Sequence, residues 1–94
     1  MNIDWSARVR KPEDVLVRQL GAESVLLNLN SESYFGLDEV GTRMWEVLTG
    51  ETSLEAAYDN LSEEFEVPAE QLRGDLSSLV VALVDAGLLE IHAA

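Results

Sequence analysis

The hydrophobic pattern of the chain changes period once, near residue 38. Before that point the apolar residues come in short runs rich in aliphatic and β-branched types. Val15-Leu16-Val17-Arg18-Gln19-Leu20, Ser24-Val25-Leu26-Leu27-Asn28-Leu29 and Ser33-Tyr34-Phe35-Gly36-Leu37 are the three runs. Gly21-Ala22-Glu23 and Asn30-Ser31-Glu32 separate them, and short connections of this composition favour tight hairpin turns. Val25, Leu27 and Leu29 alternate, as one face of a strand does. The pattern predicts a three-stranded antiparallel meander whose first and third strands are both edges. Residues 1–12 have no period and end on Lys11-Pro12, which predicts a flexible N-terminal arm.

After residue 38 the period is helical. Asp38 is placed to cap a helix with apolar positions Val40, Met44, Val47 and Leu48, and Gly50 to close it. Trp45 and Met44 lie on the helix that must cover the sheet and are predicted to be core. Thr52-Ser53-Leu54-Glu55 has a hydroxyl residue followed three later by Glu, a capping box. Leu54, Ala57, Tyr58, Leu61 and Phe65 then keep i, i+3, i+4 spacing. Pro68 suits the first turn of a third helix carrying Leu72, Leu76, Leu79, Val80 and Leu83, with Gly87 to end it. Residues 79–84 are apolar on every side, so this helix needs cover on two faces. Leu88 to Ile91 reads as a short extended tail. The order is α+β: a three-stranded antiparallel meander followed by three helices, in one domain.

Charge narrows the function. The chain has 94 residues, 18 acidic and six basic, for a net charge of −12. Its length suits a single core. The charge opposes binding to nucleic acid, where neutralising phosphates supplies much of the affinity, and to anionic membrane surfaces. Arg8, Arg10, Lys11 and Arg18 all fall in the first 18 residues, whereas from Met44 onward eleven acidic residues face one arginine, Arg73. No segment resembles a signal peptide or a membrane span. The expected location is cytoplasmic.

Catalytic chemistry is thin. There is no cysteine, and the single histidine, His92, lies third from the end. No nucleophile–base pair, metal site or cofactor site is expected, so the chain reads as a non-enzyme. Ser77 follows Leu76 rather than an aspartate and falls mid-helix, which argues against a phosphopantetheine carrier. The arrangement of strands and helices resembles a winged helix-turn-helix, but the second and third helices share one base, where a DNA-reading helix needs several.

The run from Val25 to Trp45 carries a more specific resemblance. Its Tyr34-Phe35-Gly36-Leu37-Asp38, followed by Gly41, Arg43, Met44 and Trp45, strongly resembles the PqqD-like family, recognition elements of ribosomally made peptide natural products. Thr52 to Glu55 and Asp85-Ala86-Gly87-Leu88-Leu89 also look like family positions. The resemblance covers residues 13 to 90, and it sets the expected recognition domain at 13–91.

The resemblance implies a winged-helix-like domain that does not bind DNA. It implies binding of the leader segment of a precursor peptide, added as a strand on the third strand and lying against the third helix, for presentation to a modifying enzyme. That enzyme is a leader peptidase in lasso-peptide pathways or a radical S-adenosylmethionine enzyme in quinone-cofactor synthesis, and the Tyr34 to Asp38 run is slightly closer to the lasso type. On this reading Ser33, Tyr34, Phe35 and Gly36 pair with the leader. Leu72, Leu76, Leu79 and Leu83 line its pocket, with Arg73 and Asp75 at the rim. The competing reading is a structural or regulatory homodimer that uses the same edge and helix face on itself.

Overall fold

The computed structural model describes residues 3–93. Its elements are β1 (Arg8–Arg10), β2 (Val15–Leu20), β3 (Glu23–Asn28), β4 (Ser33–Leu37), α1 (Glu39–Gly50), α2 (Leu54–Glu64), α3 (Ala69–Asp85) and β5 (Glu90–His92). The meander predicted from the sequence is present: β2, β3 and β4 form an antiparallel sheet in that order. Gly21, at φ +66°, makes the first turn. In the second turn the Asn28 side-chain oxygen accepts from the backbone N–H groups of Asn30 and Ser31, at 2.9 and 3.2 Å. A side chain bridging its own turn in this way sets the register of the strands that follow.

Alternation decides which side of the sheet meets the helices. Val15, Ser24, Leu26 and Leu37 are buried on one face. Helix α1 covers that face, with Thr42, Met44, Trp45, Val47 and Leu48 buried. Val40, expected on the apolar stripe, is 48% exposed: it sits in the first turn of α1, beside Gln19 and Ala22 at the sheet margin. At the centre of the contact the Ser24 and Thr42 hydroxyls share a buried hydrogen bond of 2.8 Å. Leu26, Leu48, Leu61 and Leu76 are almost wholly inaccessible and come from β3, α1, α2 and α3 in turn, so every layer contributes to one core. Each such burial stabilises by roughly 1.5–3 kcal/mol.

Helix ends follow local chemistry with one shift. Asp38 caps α1, accepting from the Gly41 N–H at 2.8 Å. The cap of α2 is Ser53, accepting from Ala56 N–H at 3.0 Å, not Thr52. Gly87, at φ +74°, ends α3 by turning the chain so that the Leu88 N–H reaches the Leu83 carbonyl at 2.8 Å. This is the glycine-dependent helix stop.

Instead of the loose arm expected over residues 1–12, residues 3–12 run against the body of the domain; Met1 and Asn2 lie outside the described residues. Strand β1 pairs antiparallel with β5, Val9 opposite Ile91. Ala7 and Val9 are buried. The Trp5 and Ala7 carbonyls accept from the N–H groups of Glu55 and Leu54, at 2.9 and 2.8 Å. The first N–H groups of a helix have no partner within it, and here the N-terminal segment supplies partners for two of them. His92, third from the end of the chain, is the register partner of Arg8. No helix among the described residues is long and apolar enough to cross a membrane.

Candidate functional site

Strand β4 is one edge of the three-stranded sheet, and its register shows which of its backbone groups are free. Leu29 N–H donates to the Asp14 carbonyl at 2.9 Å, extending the β2–β3 ladder by one bonded pair. Bonded and non-bonded pairs alternate along an antiparallel ladder. The bonded pairs between β2 and β3 are therefore Leu16–Leu27 and Arg18–Val25. Residues Ser24, Leu26 and Asn28 are left to bond with β4, opposite Leu37, Phe35 and Ser33. Ser33 and Phe35 thus spend their backbone groups inside the sheet. The N–H and C=O groups of Tyr34 and Gly36 point out of its edge. The same alternation leaves the Val15 carbonyl on the far edge, where Lys11 Nζ donates to it at 2.7 Å.

The four side chains of this edge separate by face. Phe35 turns inward, half-buried against the core. Tyr34 turns outward and is 77% exposed. The Ser33 hydroxyl is hydrogen-bonded to that of Ser31 at 2.6 Å. Gly36 has open space where a Cβ would stand, so a strand can approach its backbone closely.

Helix α3 is tied to the same end of the sheet. Asn28 Nδ2 donates to the Gly87 carbonyl at 2.9 Å, and Asn28 is the register partner of Ser33. A Cβ on Gly87 would lie 3.0 Å from that nitrogen. Of the helix positions expected to line a pocket, Leu72, Leu76 and Leu83 are at most 2% exposed. They are floor rather than lining, a correction that follows from their place on the stripe facing the core. Leu79 is half-buried and has surface to offer. Asp75 is one turn earlier on the same face; it is exposed, and no cation pairs with it among the described residues.

Arg73 is not at that rim. At 100° per residue it lies about 120° around the helix from Leu79, on the flank that faces α2. Its two terminal nitrogens donate to the two carboxylate oxygens of Glu55, at 3.0 and 2.9 Å. Its guanidinium lies 3.9 Å from the Tyr58 ring centroid and 4.6 Å from that of Trp5. The hydrogen bonds from Arg73 hold the Glu55 carboxyl below its ordinary value, against a smaller opposing effect of desolvation. Arg73 is thereby a clasp between the N-terminal segment, α2 and α3. Sequence reasoning missed both this and the choice of Tyr34 and Gly36 as the free backbone groups. The strand register, once known, gives the second; nothing local to Arg73 signals the first.

Among the described residues the arrangement offers two unpaired peptide groups at a short edge, a glycine that admits close approach, and, joined to the same sheet through Asn28 and Gly87, a helix with one half-apolar flank that carries Asp75. It is suited to receiving an extended peptide as a fourth strand, with alternate side chains directed to opposite faces.

Solved structures share the whole fold. The chain is similar to "TbiB1 in Complex with the TbiA(beta) Leader Peptide", with 33% identity and a TM-score of 0.81, over 90% of this chain and 99% of that one. It shares the fold of "Lasso peptide synthetase B1 complexed with the leader peptide", at 24% identity and a TM-score of 0.78, over 88% and 98% of the two chains. Among curated proteins none matches by sequence. Residues 23–89, well over half of the chain, match the family described as Coenzyme PQQ synthesis protein D (PqqD), and the chain belongs to that family.

Proposed function

We propose that this protein is a non-catalytic module that binds the leader segment of a ribosomally made precursor peptide and presents it to a modifying enzyme. The observation that carries the reading is the free edge of β4, with the peptide groups of Tyr34 and Gly36 unpaired and Gly36 open to approach. The family supports it, as does the likeness over nearly full length to TbiB1, whose structure is a leader-peptide complex. Tyr34 and Gly36 bond the leader backbone. Ser33 and Phe35 hold the strand in register. Leu79 and Asp75 meet the leader's inward side chains, over a floor of Leu72, Leu76 and Leu83. Residues 13–91 form the recognition domain, with β1 docked on it.

A lasso-peptide pathway, with a leader peptidase as partner, fits the Tyr34-Phe35-Gly36-Leu37-Asp38 run better than a radical S-adenosylmethionine partner does. The cytoplasm, where ribosomal precursors are made, is the proposed location. The test is titration of labelled protein with a synthetic leader from the same gene cluster, followed by amide shifts. Shifts centred on Tyr34, Gly36 and Leu79 are expected. Shifts confined to other regions, or no binding, would refute the proposal.

A further inference from the structure

The outer face of the three-stranded sheet, turned away from the helices, is apolar and uncovered. Leu16 and Leu20 on β2 are 52% and 60% exposed. With Val25 and Leu27 on β3 and Tyr34 on β4, they line a shallow concavity of about 660 Å³. This is the reverse of the usual pattern for a half-buried antiparallel sheet, where outward positions are polar. Contiguous exposed apolar surface of this kind marks a contact site.

Arg18 lies within this surface. It is the register partner of Val25, with Leu16 and Leu20 two residues away on either side. Arg10, Arg43 and Arg73 each pair with a carboxylate, and among the described residues Arg18 does not. Glu23, opposite Leu20 at the margin of the face, does not reach it. In a chain of net charge −12, an unpaired guanidinium ringed by leucine and valine calls for a carboxylate from outside.

We propose that this face docks a second protein, which presents an apolar element with a carboxylate directed at Arg18. A second copy of this chain fits less well. Two-fold pairing sets a surface against itself, and the lining of this concavity holds one cation, Arg18, and no acid to answer it. The face is also separate from the leader edge. An added strand lies in the plane of the sheet beside β4, so the outer face stays open and gains the leader's outward side chains next to Tyr34. A partner seated there touches both the domain and its bound peptide. Identifying that partner as the modifying enzyme rests on the function proposed above.

The experiment titrates the wild-type protein, Leu20→Asp and Arg18→Glu with the modifying enzyme from the same gene cluster, and separately with the leader peptide. Both positions are exposed, and circular dichroism checks that the variants fold. The expected result is a loss of about tenfold or more in enzyme affinity with leader affinity unchanged. Equal enzyme binding by all three proteins overturns the proposal, as does no enzyme binding by wild type. Sedimentation of wild type as a dimer that Leu20→Asp dissociates also overturns it, in favour of a second copy. Failure of the leader reading looks different: enzyme docking persists while leader binding is absent.

Discussion

Arg73 grips Glu55 by both carboxylate oxygens, 18 residues earlier in the chain, while its guanidinium lies against the rings of Tyr58 and Trp5. One side chain thereby joins three separate segments. A lysine keeps the charge and loses the planar fork and the stacking. Arg73→Lys should therefore lower the thermal midpoint modestly, through loss of the two-pronged grip on Glu55 and of the planar stacking on Tyr58 and Trp5. Arg73→Ala should cost more, because it also leaves Glu55 without its partner. Leader affinity should hold in both variants, since this flank faces α2. Melting curves and calorimetry on the same samples check both parts.

The same contact gives stability a pH dependence. Hydrogen bonding from Arg73 lowers the folded-state pKa of Glu55, and Arg43 and Arg10 do the same for Glu64 and Glu90. A carboxylate whose pKa is lowered on folding stabilises fully above its unfolded value, about 4.3 for Glu. That contribution is lost as the pH falls through the folded value. Stability should be flat with respect to these three groups near neutrality and decline below about pH 5. Glu55→Gln should remove part of the slope in that acid range. Urea titrations from pH 3 to 7 measure it.

The buried Ser24–Thr42 hydrogen bond predicts an asymmetry. Thr42→Val keeps the shape and strands the Ser24 hydroxyl in the core, which should cost about 1–3 kcal/mol. Ser24→Ala with Thr42→Val removes both polar partners and should recover much of the loss. A double-mutant cycle by denaturant unfolding reads the coupling directly.

What the sequence made legible is what short-range chemistry decides. Asp38 and Gly87 act on neighbours within a turn, and both do what their positions imply. The three strand runs and the burial of Met44 and Trp45 follow from local period. The pairing of β1 with β5 joins residues about 80 apart through two three-residue strands, too short to carry a period. The choice of Ser53 over Thr52 lay between adjacent hydroxyls with equal local claims, and the docked N-terminal segment bears on the same helix start. At the candidate site, helical spacing grouped Leu72, Leu76, Leu79 and Leu83. Which flank remains open depends on where α2 packs, and that separates Leu79 from the rest and turns Arg73 away.

That separation distinguishes two leucines of one helix. Leu83 is fully buried, so Leu83→Ala should cost about 2–5 kcal/mol of stability and affect the leader only through folding. Leu79 is half-buried. Leu79→Glu should fold, as judged by circular dichroism, and weaken leader binding in calorimetry. Unchanged affinity in a folded Leu79→Glu protein would remove this flank from the site.

The alternation along β4 makes the sharpest prediction. Proline has no N–H to give, so its effect depends on where that N–H points. The Phe35 N–H lies in the ladder with Leu26, whereas that of Tyr34 points out of the sheet edge. Proline is tolerated at edge positions whose N–H faces solvent and is disruptive within a ladder. Tyr34→Pro should leave the sheet intact and remove one of the donors offered to an added strand, while Phe35→Pro should disrupt the sheet. Tyr34→Ala separates the side chain from the backbone: it keeps the N–H and should bind a leader far better than Tyr34→Pro. Calorimetry on the folded variants makes the comparison. Equal leader affinity for Tyr34→Pro and Tyr34→Ala would mean that the peptide does not join the sheet through this residue's N–H.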